Sequence, residues 1–433
     1  MDLLLQLLGI IVIGIAVSIG LHELGHFLPA RRFGVYVGKF MIGFGPTIWS
    51  RKKGETEFGL KAIPLGGFVS LSGMYPPTES QQGRGFTWFR KLVQDARDAS
   101  AETIIDDSRS FYRQSVWKRL VIMFGGPVAN LIIAAVLYVV LFSGVGVMKT
   151  TTTISSVSEC VIPVSETRET CVSGDPVSPA NLAGIKPGDR VVSINGIAVT
   201  DWDSGMDIVR ESAGKNLRFT VERNGSLVDL QVTPLATERY AVDDDGTVIV
   251  DSEGSPKTRT VGFIGVAPTT ARQQQAPLVA IESLGDNIVQ VGALIVQLPQ
   301  KVYAVAESAF GNGERDINGP ISVVGVGRIA GEIASSADFD LGSRFAALIG
   351  ILASLNIALF VFNLLPLLPL DGGHIVVALW EGTRNWVQRL RGKPALPPLD
   401  TAKLVPITVG VTVLLIGVSA LLIYADIVKP ITL

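Results

Sequence analysis

The stretch Val17-Ser18-Ile19-Gly20-Leu21-His22-Glu23-Leu24-Gly25-His26-Phe27-Leu28 decides how the chain is read. On a helix, residues four apart share a face, so the imidazoles of His22 and His26 can reach one metal ion while Glu23 sits beside it. Zinc accepts such nitrogen ligands, and a catalytic zinc site keeps one position open for water. A bound metal lowers that water's pKa to about 7, and an adjacent carboxylate can take its proton as it attacks a carbonyl. The chain has three histidines, two of them in this motif. The bland alternative, a helix end whose polar side chains merely face water, is disfavoured because ionisable clusters in or at the end of an apolar span are costly.

The motif closes an apolar run at 3–20. Similar runs occupy 120–148, 345–369 and 404–424, each near the roughly 20 residues that cross a bilayer as helix. The first lacks a basic leader and a small-residue cleavage site, so it reads as a retained span and not as a signal peptide. Over the 433 residues, 48% are hydrophobic and 18% are charged, against about 25% charged in average soluble proteins. The net charge of −2 gives no footing for nucleic acid as a partner. Lys and Arg crowd 31–119 and recur at Arg384, Arg389, Arg391, Lys393 and Lys403. Basic loops stay cytoplasmic, so both termini and the 149–341 segment are expected outside. Cys160 and Cys171 then lie in an oxidising compartment, as a short disulfide or as two free thiols.

The chain divides into 1–33 (first span with the histidine motif), 34–74 (glycine-punctuated alternating strands), 75–118 (polar loop with short amphipathic helices), and 119–148 (second span). There follow 149–275 (outer domain), 276–341 (amphipathic helix and connector), 342–382 (third span), 383–403 (basic loop) and 404–426 (fourth span). An open sheet edge near hydrocarbon must be hidden or shared. The 34–74 segment therefore either pairs an extended substrate along its edge or packs only on its own protein. In the outer domain, the order of Ser178-Pro179-Ala180, Gly188-Asp189-Arg190 and the Asn224-Gly225 hairpin signal predicts a small α+β module with a strand–helix groove.

A third metal ligand is expected from Asn363-Leu-Leu-Pro366-Leu-Leu-Pro369-Leu370-Asp371-Gly372-Gly373-His374. Two prolines break the helix there and leave Asp371 among apolar residues, where an unpaired carboxylate is expensive. Asp371 is preferred, with His374 as the rival ligand and a helix-capping role for Asp371 as the plain alternative.

These motifs together resemble the site-2 proteases, in their bacterial RseP-like branch. The resemblance rests on HELGH at 22–26, GFGP at 43–46, AIPLGGFV at 62–69, FGGPVAN at 124–130, NGPISVVG at 318–325 and NLLPLLPLDGGH at 363–374. It implies a polytopic α-helical membrane protein of about four transmembrane helices, with a membrane-associated β-sheet and an extracytoplasmic PDZ domain at about 154–238. It implies one Zn2+ bound by His22, His26 and Asp371, Glu23 as general base and Asn363 helping to position substrate or the oxyanion. Gly66, Gly67 and Phe68 would then bind substrate. The implied activity is cleavage inside single-span membrane proteins already cut by a site-1 protease, such as anti-sigma factors or remnant signal peptides, in the bacterial cytoplasmic membrane. One PDZ module and the Cys160/Cys171 pair look more like actinobacterial members. The role of Asn130 stays open between helix packing and support of catalysis. The competing function is an inactive membrane scaffold whose PDZ domain captures peptides. A scaffold needs neither HExxH nor the LDG motif, and both are complete.

Overall fold

A computed structural model describes residues 2–76, 87–164, 166, 168, 170–241, 249, 256–311, 313, 315–316, 319–336 and 340–431, with the side chains of 2–11 and 64–65 left aside. Parts of the expected cytoplasmic loop (77–86), of the outer domain (242–248 and 250–255) and of the connector (317, 318 and 337–339) therefore lie outside the described residues.

In chain order the elements are α1 (Asp2–Arg32), β1 (Val37–Lys53), β2 (Thr56–Leu71), α2 (Thr87–Glu102) and α3 (Val116–Val139), the last continued by a wider helical turn at Val140–Val145. Next come β3 (Val147–Val157), α4 (Pro179–Leu182), β4 (Arg190–Ile194), β5 (Ile197–Ala198), α5 (Trp202–Arg210), β6 (Leu217–Arg223), β7 (Ser226–Val232), β8 (Leu235–Tyr240), β9 (Thr258–Phe263) and β10 (Val266–Gln273). The chain ends with α6 (Pro277–Phe310), α7 (Val323–Ser335), α8 (Leu341–Asn363), α9 (Asp371–Leu390) and α10 (Val405–Val428). These elements form two units, one from residues 1–146 and 274–433 and the other from residues 147–273.

In the first unit, five stretches are long and apolar enough to cross a membrane: Val12–Arg32, Val116–Val145, Pro277–Phe310, Leu341–Asn363 and Thr401–Val428. Four correspond to the runs seen in the sequence. The fifth contains α6, read there as an amphipathic helix, and its packing separates it from the others. Ala280 and Leu284 near its start pack with Ala134 and Tyr138 of α3, and the Gln275 N–H donates to the Phe142 carbonyl at 2.8 Å. At its far end Val305 and Ala309 pack with Ala425 of α10, and Phe310 stacks on Tyr424. Both ends of α6 thus rest near the C-terminal ends of other helices. A stripe of four residues spaced seven apart, Val289, Val296, Tyr303 and Phe310, is left exposed along it.

α1 and α3 run antiparallel in close contact, and α8 runs parallel to α1. Gly14 lies against Leu352, and the buried Asn356 amide donates to Ser18 Oγ at 2.9 Å. Buried polar links of this kind fix helix register where hydrophobicity cannot, because lipid is as apolar as the helix faces. At the other end of the bundle, Arg119 of α3 and Glu381 of α9 form a buried ion pair, and Glu381 also accepts from the Leu399 N–H at 3.2 Å.

The 34–74 segment is a doubled hairpin. The first part of β1 pairs on one side with the start of β2, with Phe40 opposite Phe58 and Ile42 opposite Leu60. On its other side it pairs with the end of β2, with Ile42 opposite Gly67 and Phe40 opposite Val69. The second part of β1 closes on β2 through Trp49 opposite Leu60 and Lys53 opposite Thr56. Among the described residues, 67–71 therefore form a free edge. The inner face packs through Phe40 and Phe58 onto Phe27 of α1.

The second unit has a sheet ordered β10-β3-β4-β6-β7, with β5 paired to β4, and a separate β8–β9 pair. Its core includes Ile154, Ile194, Phe219, Val221 and Ile264. Ser178 caps α4 and Asp201 caps α5 by accepting backbone N–H groups, which satisfies donors every helix start leaves open. The β6–β7 turn has Asn224 at φ 49° and Gly225 at φ 78°, the left-handed pair that matches strand twist in a two-residue hairpin. Cys160 and Cys171 are joined as a disulfide.

Two outcomes follow from this packing. Arg119→Ala strands a buried carboxylate and should destabilise the protein by about 3–5 kcal/mol, read as a lower thermal midpoint in detergent. Replacing both partners by Met and Leu should recover most of the loss. In the second unit, burial pushes the Asp189 carboxyl up, but hydrogen bonds from Arg223 and the Lys186 N–H outweigh it and hold the group below the usual carboxylate range. A depressed value stabilises the fold in full above about pH 4 and less as pH falls further, because the unfolded chain takes up its proton first. Peptide-resolved hydrogen exchange on the intact protein should show 147–273 losing protection between pH 5 and 3. Asp189→Asn should be weaker already at pH 5 and insensitive to that change.

Candidate metal centre

Three residues distant in sequence converge in the first unit. His22 and His26 project from one face of α1, and Asp371 is the first residue of α9. His22 Nε2 lies 3.3 Å from His26 Nε2, and Asp371 Oδ2 lies 3.5 and 3.3 Å from these two nitrogens. Four ligands arranged tetrahedrally at bond lengths of about 2.0–2.1 Å stand about 3.4 Å apart, so the three separations match three edges of a zinc tetrahedron. Among the described residues, no hydrogen-bond donor serves the buried Asp371 Oδ2. Such a carboxylate oxygen is costly unless a cation takes it up. The donor set of two imidazoles and one carboxylate suits zinc with a fourth position open.

The backbone explains how the groups come so close. Gly25 of α1 meets Gly125 of α3 so tightly that a Cβ on Gly25 would stand 2.1 Å from the Gly125 carbonyl oxygen. One residue further, a Cβ on Gly126 would lie 2.2 Å from His26 Nε2 and 2.7 Å from His22 Cε1. The FGGP pair thus leaves the space in front of the imidazoles clear. His26 Nδ1 donates to the Ile122 carbonyl at 2.8 Å, which leaves its Nε2 lone pair facing the cluster. His22 Nδ1 lies 3.1 Å from the Asn130 amide. Below Asn363, the turn with Pro366 and Pro369 redirects the chain from α8 into α9. Gly372 is packed so close to the Leu364 and Leu365 carbonyls that no side chain fits.

Of the other residues picked from the sequence, Glu23 is buried next to the histidines. Gly67 sits where a Cβ would come 2.9 Å from Glu23 Cγ, so the free edge of the hairpin passes directly beside that carboxylate. Gly66 and Phe68 flank Gly67 on the same strand. Asn363 ends α8 and its side chain makes no hydrogen bond with the described residues. His374 lies one turn beyond Asp371 and is not part of the three-residue group, the rival place it held in the sequence. Neither Gly126 as a space-keeper nor Ile122 as an orienting carbonyl was legible from residue type and spacing. The adjacent glycines were the only visible trace.

The profile of peptidase family M50 matches residues 10–404. The chain belongs to peptidase family M50. It is 38% identical over 430 residues to the zinc metalloprotease Rip1 of Mycobacterium tuberculosis, covering 97% of each chain. The Rip1 of Mycolicibacterium smegmatis is 34% identical over 443 residues, again 98% of each. The metalloprotease MmpA of Caulobacter vibrioides is 29% identical over 377 residues, 85% of this chain and 84% of that protein. The reading of the sequence as a zinc metalloprotease of the site-2 class stands.

If the space beside Gly126 is the ion's, Gly126→Ala should lower zinc content sharply while the protein stays folded. Atomic absorption on purified protein, beside a thermal midpoint close to wild type, checks this.

Proposed function

We propose that this M50 peptidase hydrolyses peptide bonds within the membrane-embedded segment of single-span proteins that another protease has already shortened. The observation that carries it is the meeting of His22, His26 and Asp371 beside Glu23, with a free strand edge at 67–71 running past that carboxylate. His22, His26 and Asp371 hold the zinc. When bound there, zinc activates a water and polarises the scissile carbonyl. Glu23 takes the proton from the attacking water and returns it to the leaving amine. The Asn363 amide, which makes no hydrogen bond with the described residues, donates to the developing oxyanion.

A helical substrate has its backbone bonds satisfied internally and hides its carbonyls, so it must unwind before it is cut. Unwound backbone in hydrocarbon costs several kcal/mol per unsatisfied group. Pairing it along Gly66-Gly67-Phe68 supplies the missing partners, and the absence of side chains at 66 and 67 lets it approach Glu23. Four helices, α1, α3, α8 and α10, cross the cytoplasmic membrane, with the basic segments inside. α6 lies along the outer side, since both its ends meet outer helix ends. The 147–273 unit is an extracytoplasmic PDZ domain that favours substrates trimmed by a site-1 protease. Anti-sigma factors and signal-peptide remnants fit this description.

The deciding experiment reconstitutes wild type and Glu23→Gln with a model single-span substrate in vesicles and measures zinc and cleavage together. Zinc in both with cleavage by wild type alone is expected, a loss of at least about 100-fold for a general base. Equal cleavage by both would remove Glu23 from the mechanism, and a zinc-free wild type would favour the PDZ scaffold.

A further inference from the structure

A histidine that binds metal through Nε2 must carry its proton on Nδ1, and the partner of that N–H fixes both tautomer and ring orientation. For His26 the partner is the Ile122 carbonyl, which can only accept. For His22 the group in the corresponding place is the Asn130 side chain, fully buried on α3 and 3.1 Å from Nδ1. With the amide nitrogen toward His22, Nδ1 would have to accept and the ring proton would sit on Nε2, pointing at Asp371 and His26. In that orientation the Asn130 oxygen is buried without a donor among the described residues. A half-turn of the amide, which leaves its shape unchanged, brings that oxygen onto the Nδ1 proton and frees Nε2.

We infer that Asn130 is a positioning residue that accepts a hydrogen bond from His22 Nδ1–H through its side-chain oxygen and so holds His22 in its metal-binding tautomer. The inference rests on the proposal that His22 is a zinc ligand. It places one orienting acceptor behind each imidazole, both from α3, two turns apart. α3 contributes no ligand, yet it would govern the basicity and aim of both nitrogen ligands. The Gly126 carbonyl also faces the His22 ring and is the competing acceptor.

The test measures zinc retention by full-length protein in detergent against a graded chelator for wild type, His22→Ala, Asn130→Ala and Asn130→Asp. Loss of an orienting acceptor weakens metal binding about 10–100-fold, which is expected for Asn130→Ala. Asn130→Asp, whose carboxylate only accepts, should return to near wild type. A packing role would instead lower the thermal midpoint of both variants and leave zinc retention alike in both. Wild-type retention by Asn130→Ala would assign the tautomer to the Gly126 carbonyl and overturn the inference, as would equal loss in Ala and Asp. Wild type and His22→Ala retaining zinc equally would instead strike down the ligand assignment itself.

Discussion

The backbone contact between Gly25 of α1 and Gly125 of α3 underlies the rest of the first unit. Without side chains there, two apolar helices touch closely enough for α3 to reach behind both imidazoles. In water the hydrophobic effect would hold such helices together; in lipid that force is absent, and close packing with a few buried polar links must replace it. The links here are Asn356 to Ser18, Arg119 to Glu381 and the two groups behind the histidines. Each ties α1 or α9, the helices that carry His22, His26 and Asp371, to α3 or α8.

Much of this was legible in the sequence because its signals are local. The four-residue spacing of His22 and His26 shows that they share a helix face, and the two prolines before Asp371 expose a carboxylate where none is affordable. Alternation in 34–74 and the Asn224-Gly225 turn reveal strands for the same reason. What stayed hidden depends on partners far along the chain. Ile122 acts through its carbonyl, which every residue has, and Gly126 acts by lacking a side chain. Periodicity cannot tell the doubled pairing of β1 from a simple hairpin, because both alternate with period two. α6 was ambiguous in the same way. It is apolar enough to span, and the partners at its two ends, on α3 and α10, lie far away in sequence.

The free edge at 67–71 reconciles two demands that conflict in most proteins. An exposed strand edge invites aggregation, yet a protease that cuts helices needs an unpaired backbone to receive them. Here the edge lies against α1, beside Glu23. The apolar residues that remain exposed around the hairpin, Phe44, Ile48 and Trp49 among them, are ones that lipid accommodates without penalty.

The positions of the three converging residues also set an order of events during synthesis. His22 and His26 leave the ribosome early, whereas Asp371 follows only after α1, α3, α8 and the whole 147–273 unit have been made. The cluster cannot close on an unfinished chain. The three helices α1, α3 and α8 are therefore all made before the residue that completes the cluster.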